Sequence, residues 1–263
     1  MGDLRQAALA CLKLTDPMSK VERTREIYQS WLNSELTVSE DDLVLADVAG
    51  HPDKPKLVAP KDLPRRRNSA KTGVATLIHA ITHIEFNAIN LAWDAVARFP
   101  KLPRQFYDDW ARVASEEAEH FVLLRDHLLS LGYDYGDFPA HNGMWEMAQK
   151  THHDPLIRMA LVPRVLEARG LDVTPKMMDK LRGGGDLRAV EILEIILQEE
   201  IGHVAIGTRW FNYLCEQREV DPLATFKDLL DNYFDGQLRG PFHIEARKQA
   251  GFTDAEMALL EGR

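Results

Sequence analysis

The sequence contains only two cysteines, Cys11 and Cys215, which lie far apart in the chain. So few cysteines argue against a disulfide framework and against a thiolate metal site, and they are typical of a reducing cytosol. Apolar runs of membrane-spanning length are missing, and the amino terminus lacks the basic and apolar regions of a signal peptide. We therefore predict a cytoplasmic protein with no membrane partner.

An excess of positive charge is missing as well. The net charge is −9 and the isoelectric point is about 5.6, which argues against a nucleic-acid partner for the chain as a whole. The 263 residues are 45% apolar and 28% charged, which is the composition of an ordinary globular protein. A chain of this length can bury one sizeable core.

Alternating strand patterns are also missing, so the chain is predicted to be all-α. Helical periodicity defines four long stretches, and the third contains Pro155 and Pro163. Pro163 is expected to kink its helix because it cannot donate an intrahelical hydrogen bond. The expected helical segments are residues 3–14, 21–34, 72–99, 103–131, 142–170 and 186–218, with a short helix within 171–185 and two or three shorter helices within 222–263.

The sequence Glu-Glu-x-x-His occurs twice, at residues 116–120 and 199–203. A Glu and a His three positions apart project from one face of a helix. Glu85 lies 32 positions before Glu117, and Glu167 lies 33 positions before Glu200. Four successive helices therefore offer the ligands of a carboxylate-bridged dimetal site inside a four-helix bundle. The predicted metal ligands are Glu85, Glu117, His120, Glu167, Glu200 and His203.

The surroundings of these residues favour a metal site over a set of exposed ion pairs, which is the alternative interpretation. Apolar stripes accompany the ligands on the first, second and fourth helices, whereas the stretch around Glu167 shows no clear stripe. Four buried carboxylates need cations to offset them. Oxygen and imidazole ligands suit Fe/Fe or Mn/Fe better than zinc. We expect two metal ions, bridged by Glu117 and Glu200, with Glu85 and Glu167 as terminal ligands.

This interpretation divides the chain into three segments of one compact domain. Residues 1–71 form amino-terminal helices and an extended wrap, residues 72–218 form the dimetal four-helix bundle, and residues 219–263 form helices packed on the bundle.

The chain resembles the ferritin-like superfamily, and more closely an uncharacterised ferritin-like family called domain of unknown function 455. The resemblance covers roughly residues 50 to 250. It implies a di-iron or iron–manganese four-helix bundle, and superfamily members store iron, reduce peroxide or activate dioxygen. Pro163, one turn before Glu167, departs from the regular helix of the ferritin-like pattern. The resemblance rests on LIHAITHIEFNAINLAWDA, FYDDWARVASEEAEHFVLL, YGDFPAHNGMWE, ALVPRVLEARGLDVTP, EEIGHVAIGTRWF and LRGPFHIEAR.

The leading functional hypothesis is a non-haem dimetal oxidase or monooxygenase. Its expected partners are dioxygen or peroxide, an unknown small-molecule substrate and, where the reaction needs one, an electron donor. The expected assembly is a monomer or a homodimer. One alternative is a ferritin-like storage or detoxification protein without an organic substrate, and another is a bundle with a purely stabilising metal. A third follows from a relative that hydroxylates a modified tRNA base, and would make the chain a tRNA-hydroxylase-like enzyme.

Several other polar clusters invite a functional interpretation. His79 and His83 lie one helical turn apart on a different face from Glu85, and a buried hydrogen-bonding role is favoured over a second metal pair. His152-His153-Asp154 is interpreted as polar surface. Arg65-Arg66-Arg67 is interpreted as a solvated stretch, with a phosphate or acidic partner as the alternative, and Arg239-Gly240-Pro241-Phe242 as a rigid turn.

Overall fold

A computed structural model describes residues 2–41, 43–45, 49–63, 70–234, 238 and 240–262. Arg65-Arg66-Arg67 and Arg239 lie outside these described residues. Within them the chain is all-α, as predicted, and its β structure is limited to two short elements and a bridge between Leu57 and Ala140. The two elements, β1 (Gly2–Asp3) and β2 (Leu36–Thr37), pair in parallel. None of the described helices is both long and apolar enough to cross a membrane.

The chain folds into two compact units, residues 1–149 and residues 150–263. The first contains two short helices at its amino-terminal end, a 3-10 turn (Pro60–Asp62) and two long helices that pack along each other. The two-unit division does not follow the three predicted segments, which remain a prediction about domain organisation. The helices of the first unit are α1 (Leu4–Leu12), α2 (Pro17–Leu32), α3 (Ala70–Arg98), α4 (Arg104–Ser130) and α5 (Gly143–Lys150). Helix α5 ends where the chain passes from the first unit to the second.

Short polar residues and prolines set the ends of these helices. Asp16 caps α2 by accepting a hydrogen bond from Ser19 N, and Pro17 occupies its first turn, so α2 begins four residues before the predicted start. Pro103 stands immediately before α4, and Gly132 follows the end of α4 with a φ of 87°. That φ is one that glycine adopts at little cost, which is why the long helix stops there.

The second unit is organised around one long helix, which contacts three preceding helical segments. Two of these segments are α-helices, and the third is the π-helical turn (Val162–Glu167) that joins them. Asp186 caps the long helix by accepting a hydrogen bond from Ala189 N. The helices of the second unit are α6 (Pro155–Leu161), α7 (Ala168–Gly183), α8 (Leu187–Gln217), α9 (Pro222–Tyr233), α10 (Ile244–Gln249) and α11 (Asp254–Glu261).

The predicted third helix differs from the structure in its details. In place of one interrupted stretch at 142–170, the chain forms α5, α6, the π turn and α7, which continues to Gly183. The predicted break at Pro163 is therefore a π turn, and the segment expected as a separate short helix after 170 is the end of α7. A π turn changes the hydrogen-bonding partners of the backbone locally, so it can accept a proline that lacks an N–H.

Candidate metal centre

Helices α3 and α4 bring three of the predicted ligands together inside the first unit. His120 Nδ1 lies 3.2 Å from Glu85 Oε2 and 3.3 Å from Glu117 Oε2. One potential ligand atom from each of the three residues lies within 4.8 Å of the others. Glu85 is 3% exposed, and Glu117 and His120 are fully buried. Two carboxylates and one imidazole therefore converge in a region without solvent, and such a group could hold a metal ion.

The charges of this group explain why a cation would fit. Burial raises the pKa of Glu85 well above its ordinary value, the neighbouring charge of Glu117 raises it further, and hydrogen bonding to His120 opposes both effects. Without a cation, the two acids are therefore driven to share a proton rather than to ionise together. A divalent ion would remove that conflict, because it compensates both carboxylates at once.

Regular helix geometry explains why the first group forms. Glu117 and His120 are three positions apart in α4, so one face presents both side chains. The apolar stripes predicted around them are buried, which confirms that these ligands lie within the core-facing surfaces. The buried stripe residues are Ile78, Ile81, Thr82, Ala88, Ile89 and Ala92 on α3, and Val113, Ala114, Phe121 and Leu124 on α4.

An aromatic layer next to this group was not predicted. The ring of Tyr135 lies 5.5 Å from that of Phe86 and 5.3 Å from that of Phe121, which follow Glu85 and His120 in the chain. Tyr135 comes from the loop after α4, and no spacing in the sequence links it to the helices. Its burial raises the pKa of its hydroxyl, so the phenol stays protonated.

His79 and His83 belong to that layer. His83 Nδ1 lies 2.8 Å from Tyr135 Oη and His83 Nε2 lies 3.2 Å from the carbonyl oxygen of His141, while Gly136 N donates to His79 Nε2. Burial lowers the pKa of His79 to about 4 and that of His83 to about 3. Neutral rings in hydrogen bonds support the favoured interpretation, and among the described residues neither belongs to a group that could hold a metal.

The second unit carries the other three predicted ligands. Glu167 ends the π turn, and Glu200 and His203 lie one turn apart on α8. His203 Nδ1 is 3.7 Å from Glu200 Oε1. All three residues are buried or nearly so, with exposed fractions of 7% for Glu167, 9% for Glu200 and 1% for His203. The second unit thus offers the same donor types as the first.

The acids beside the motifs have other roles. Arg25 donates to both carboxylate oxygens of Glu119, at 2.8 and 3.0 Å, on the exposed surface. Arg112 Nε lies 3.9 Å from Glu116 Oε1, and both side chains are partly exposed. Near the start of α6, Asp154 accepts from Leu156 N and from Arg218. Each of these acids therefore has an arginine partner.

Comparison with known proteins identifies relatives without an assigned activity. A family model described as "Protein of unknown function (DUF455)" matches residues 13–258. An uncharacterized protein of Haemophilus influenzae is 47% identical, and the match covers 96% of this chain and 91% of that protein. No solved structure matches the chain.

Proposed function

Since the chain belongs to the family described as "Protein of unknown function (DUF455)", whose description assigns no reaction, we propose its function from the site itself. The protein is a dimetal-carboxylate oxidoreductase of the ferritin-like type. It activates dioxygen or peroxide toward a small-molecule substrate, and its cofactor is Fe/Fe or Mn/Fe. The observation that carries this proposal is the buried convergence of Glu85, Glu117 and His120.

The donor set supports iron or manganese over a softer metal. Carboxylate oxygens and imidazole nitrogens are ligands that these ions accept, whereas thiolates would favour zinc or copper(I). Both cysteines are buried, and burial raises the pKa of each thiol. A thiol with a raised pKa is a poor metal ligand because it must first lose its proton. The carboxylates and histidines are therefore the donors that this chain offers.

The repeat assigns the second half of the ligand set. Glu167, Glu200 and His203 repeat the order of Glu85, Glu117 and His120, and each set carries two acids and one imidazole. Metal would be held by Glu85, Glu117 and His120 in the first unit, and Glu167, Glu200 and His203 of the second unit would supply the matching half of the ligand set. Four carboxylates then balance two divalent cations.

A bound metal pair of this type supplies the redox and Lewis-acid chemistry for dioxygen or peroxide activation. The chain's own residues control its surroundings. The fully buried Glu117 and His120 exclude water from the first half, which strengthens their electrostatic interactions. The neutral His83 and the protonated Tyr135 hold the layer beside α3 without adding a charge that would compete with the ligands.

Metal analysis combined with oxygen exposure tests the proposal. Apo-protein prepared with a chelator is loaded anaerobically with Fe(II), Mn(II), both together, or Zn(II). We expect about two ions of iron, or of manganese plus iron, per chain. Exposure to oxygen should then consume dioxygen and produce an optical change in the iron-containing samples. Less than about one equivalent of iron or manganese without an optical change would contradict a dimetal oxidoreductase.

Two matched variants separate the site from the surface. Glu117→Gln should lose metal and oxygen consumption, and its apo form should unfold no earlier than the wild type because the change removes a buried charge beside Glu85. Glu119→Gln, two residues along the same helix, should keep both ions because its side chain pairs with Arg25 on the surface. Assembly into a large shell, seen by sedimentation, would favour storage over catalysis.

A further inference from the structure

A buried arginine stands three residues before Glu167 in the same π turn. The Arg164 side chain is fully buried, and its guanidinium carbon lies 4.5, 4.3 and 4.7 Å from the ring centroids of Phe211, Phe226 and Phe252. Each distance is within the range of cation–π attraction. The π turn is therefore attached to α8, α9 and the segment before α11 through one side chain.

A single carboxylate neutralises this guanidinium. Arg164 Nη2 donates to Glu256 Oε1, while Arg164 Nε and Nη1 find no hydrogen-bond acceptor among the described residues. Glu256 is itself fixed by the capping box of α11, in which its other oxygen accepts from Thr253 N at 2.9 Å. The carboxylate thus has a defined position before it meets the arginine, and the ion pair defines where Arg164 can lie.

A second contact holds the same turn from another direction. Gly207 lies on α8 one turn after His203, and a Cβ atom added there would overlap the ring of Pro163. The ring of Pro163 therefore rests directly on the backbone of α8. Pro163 and Arg164 are consecutive, so neighbouring residues fix the turn both to the helix that carries Glu200 and His203 and to Glu256.

A merely stabilising role does not account for this arrangement well. Burying an ion pair gives little net stability compared with apolar side chains of similar volume, because desolvation offsets the attraction. A π turn is also a rare local conformation, and it occurs frequently at functional sites. The arrangement makes physical sense if the position of the turn matters more than its contribution to stability.

We propose that Arg164, through its ion pair with Glu256 and its contacts with three phenylalanine rings, is a positioning residue that sets the π turn so that Glu167 can serve as a metal ligand. This inference rests on the proposed dimetal site. It assigns to α11 and to the phenylalanine rings a role in metal binding, although none of these residues touches the metal.

The test compares conservative variants in metal binding and in folding. Arg164→Lys keeps the charge and loses the planar group that faces the rings, and Glu256→Gln keeps the capping geometry and loses the charge. Asp254→Asn is the matched control on α11, because the exposed Asp254 side chain pairs with Lys248 and takes no part in the Arg164–Glu256 pair or in the capping box. Each apo-protein is titrated anaerobically with Co(II), whose visible spectrum reports coordination, and its melting temperature is recorded.

We expect the wild type to bind two Co(II) ions. In Arg164→Lys and Glu256→Gln one of the two should bind about ten-fold more weakly or more, with an altered spectrum, which is the usual effect of changing a residue that orients a ligand. Asp254→Asn should leave both affinities and the spectrum unchanged.

The outcomes distinguish this inference from the proposed function. If both charge-pair variants melt earlier yet bind two ions with wild-type affinity and spectrum, Arg164 is only structural and the inference is wrong. If the wild type itself binds no metal, the proposed function is wrong as well. If Arg164→Lys does not fold, Glu256→Gln decides, since it changes a single atom type within the pair.

Discussion

The two proposed ligand groups have the same order in sequence and differ in how the chain builds them. In the first unit, Glu85, Glu117 and His120 lie on two regular helices, and the histidine nitrogen contacts both acids. In the second unit, Glu200 and His203 lie on a regular helix, but Glu167 ends a π turn that begins next to Pro163. The first group is therefore organised by contacts among the ligands, and the second depends on where an irregular turn is held.

The supports of the two groups differ in the same way. Near the first group, the buried Lys20 joins α2 to α3 through neutral oxygen atoms, and within the described part of the chain it has no carboxylate partner. Near the second, Arg164 pairs with Glu256 and faces three aromatic rings. A regular helix needs neighbours that hold it in place, whereas a π turn needs contacts that also select its conformation. This difference leads to different expected effects of mutation.

The largest effect is expected at Lys20, which supports the regular half. Its Nζ donates to Leu12 O at 3.1 Å, to Gly50 O at 3.2 Å and to Asn90 Oδ1. Lys20→Met keeps the apolar stem and leaves these buried acceptors without their donor, so the free energy of unfolding should fall by about 3 kcal/mol. Urea denaturation of the wild-type and Lys20→Met apo-proteins measures this difference in unfolding free energy.

A control for this substitution is Lys13→Met, which changes an exposed lysine nearby. It should alter the free energy of unfolding by less than about 0.5 kcal/mol. A Lys20→Met protein as stable as this control would show that the polar contacts of Lys20 contribute little to the free energy of unfolding. Lys20 would then not be a support of the first group, and the contrast with Arg164 would be wrong.

An intermediate effect is expected at the contact beneath the π turn. Gly207→Ala would place a methyl group against the ring of Pro163, so either the turn or α8 must shift. Overpacking of this kind should cost about 2 kcal/mol of unfolding free energy. The irregular half should also lose affinity for one metal ion, which a calorimetric titration would detect. A stable variant with full metal binding would show that the turn tolerates displacement.

Gly202→Ala provides the matched control on the same helix. Gly202 is exposed, and a Cβ atom added there meets nothing within 4 Å. Alanine favours the helix over glycine, so the free energy of unfolding should rise by about 0.8–1 kcal/mol. Opposite signs at two glycines five residues apart would assign the effect of Gly207→Ala to the Pro163 contact.

The regular half was the more predictable one from sequence. The period of apolar residues fixes the faces of α3 and α4, and the Glu117–His120 spacing puts both side chains on one face, so the meeting of Glu85, Glu117 and His120 could be anticipated. Pro163 signalled a departure from regular helix, but a proline specifies neither a π turn nor its partners. The partners of Arg164 and of Tyr135 lie far away in sequence, and no local pattern identifies them.

The smallest effect is expected in the layer beside the regular half. Burial lowers the pKa of His83 to about 3, below its ordinary 6.5. Between about pH 6.5 and pH 3 the imidazole is protonated in the unfolded chain and neutral in the native protein. The free energy of unfolding therefore decreases as the pH falls from about 6.5 toward 3. Moving from pH 7.5 to 5 should cost about 1–2 kcal/mol of unfolding free energy through this group.

Subtracting the profile of a His83→Gln variant from that of the wild type isolates this contribution. The groups around the ring are His51, His79, His141 and Tyr135. Glu85 lies on the same helix and has a raised pKa, so its contribution to stability changes with pH in the opposite direction. These groups remain in both proteins, so their contributions largely cancel in the difference. Equal pH dependence in the wild type and in His83→Gln would mean that the native ring takes up its proton as readily as an exposed one. The layer would then take up a proton in mild acid beside Glu85 and Glu117, and the regular half would have a pH-sensitive support.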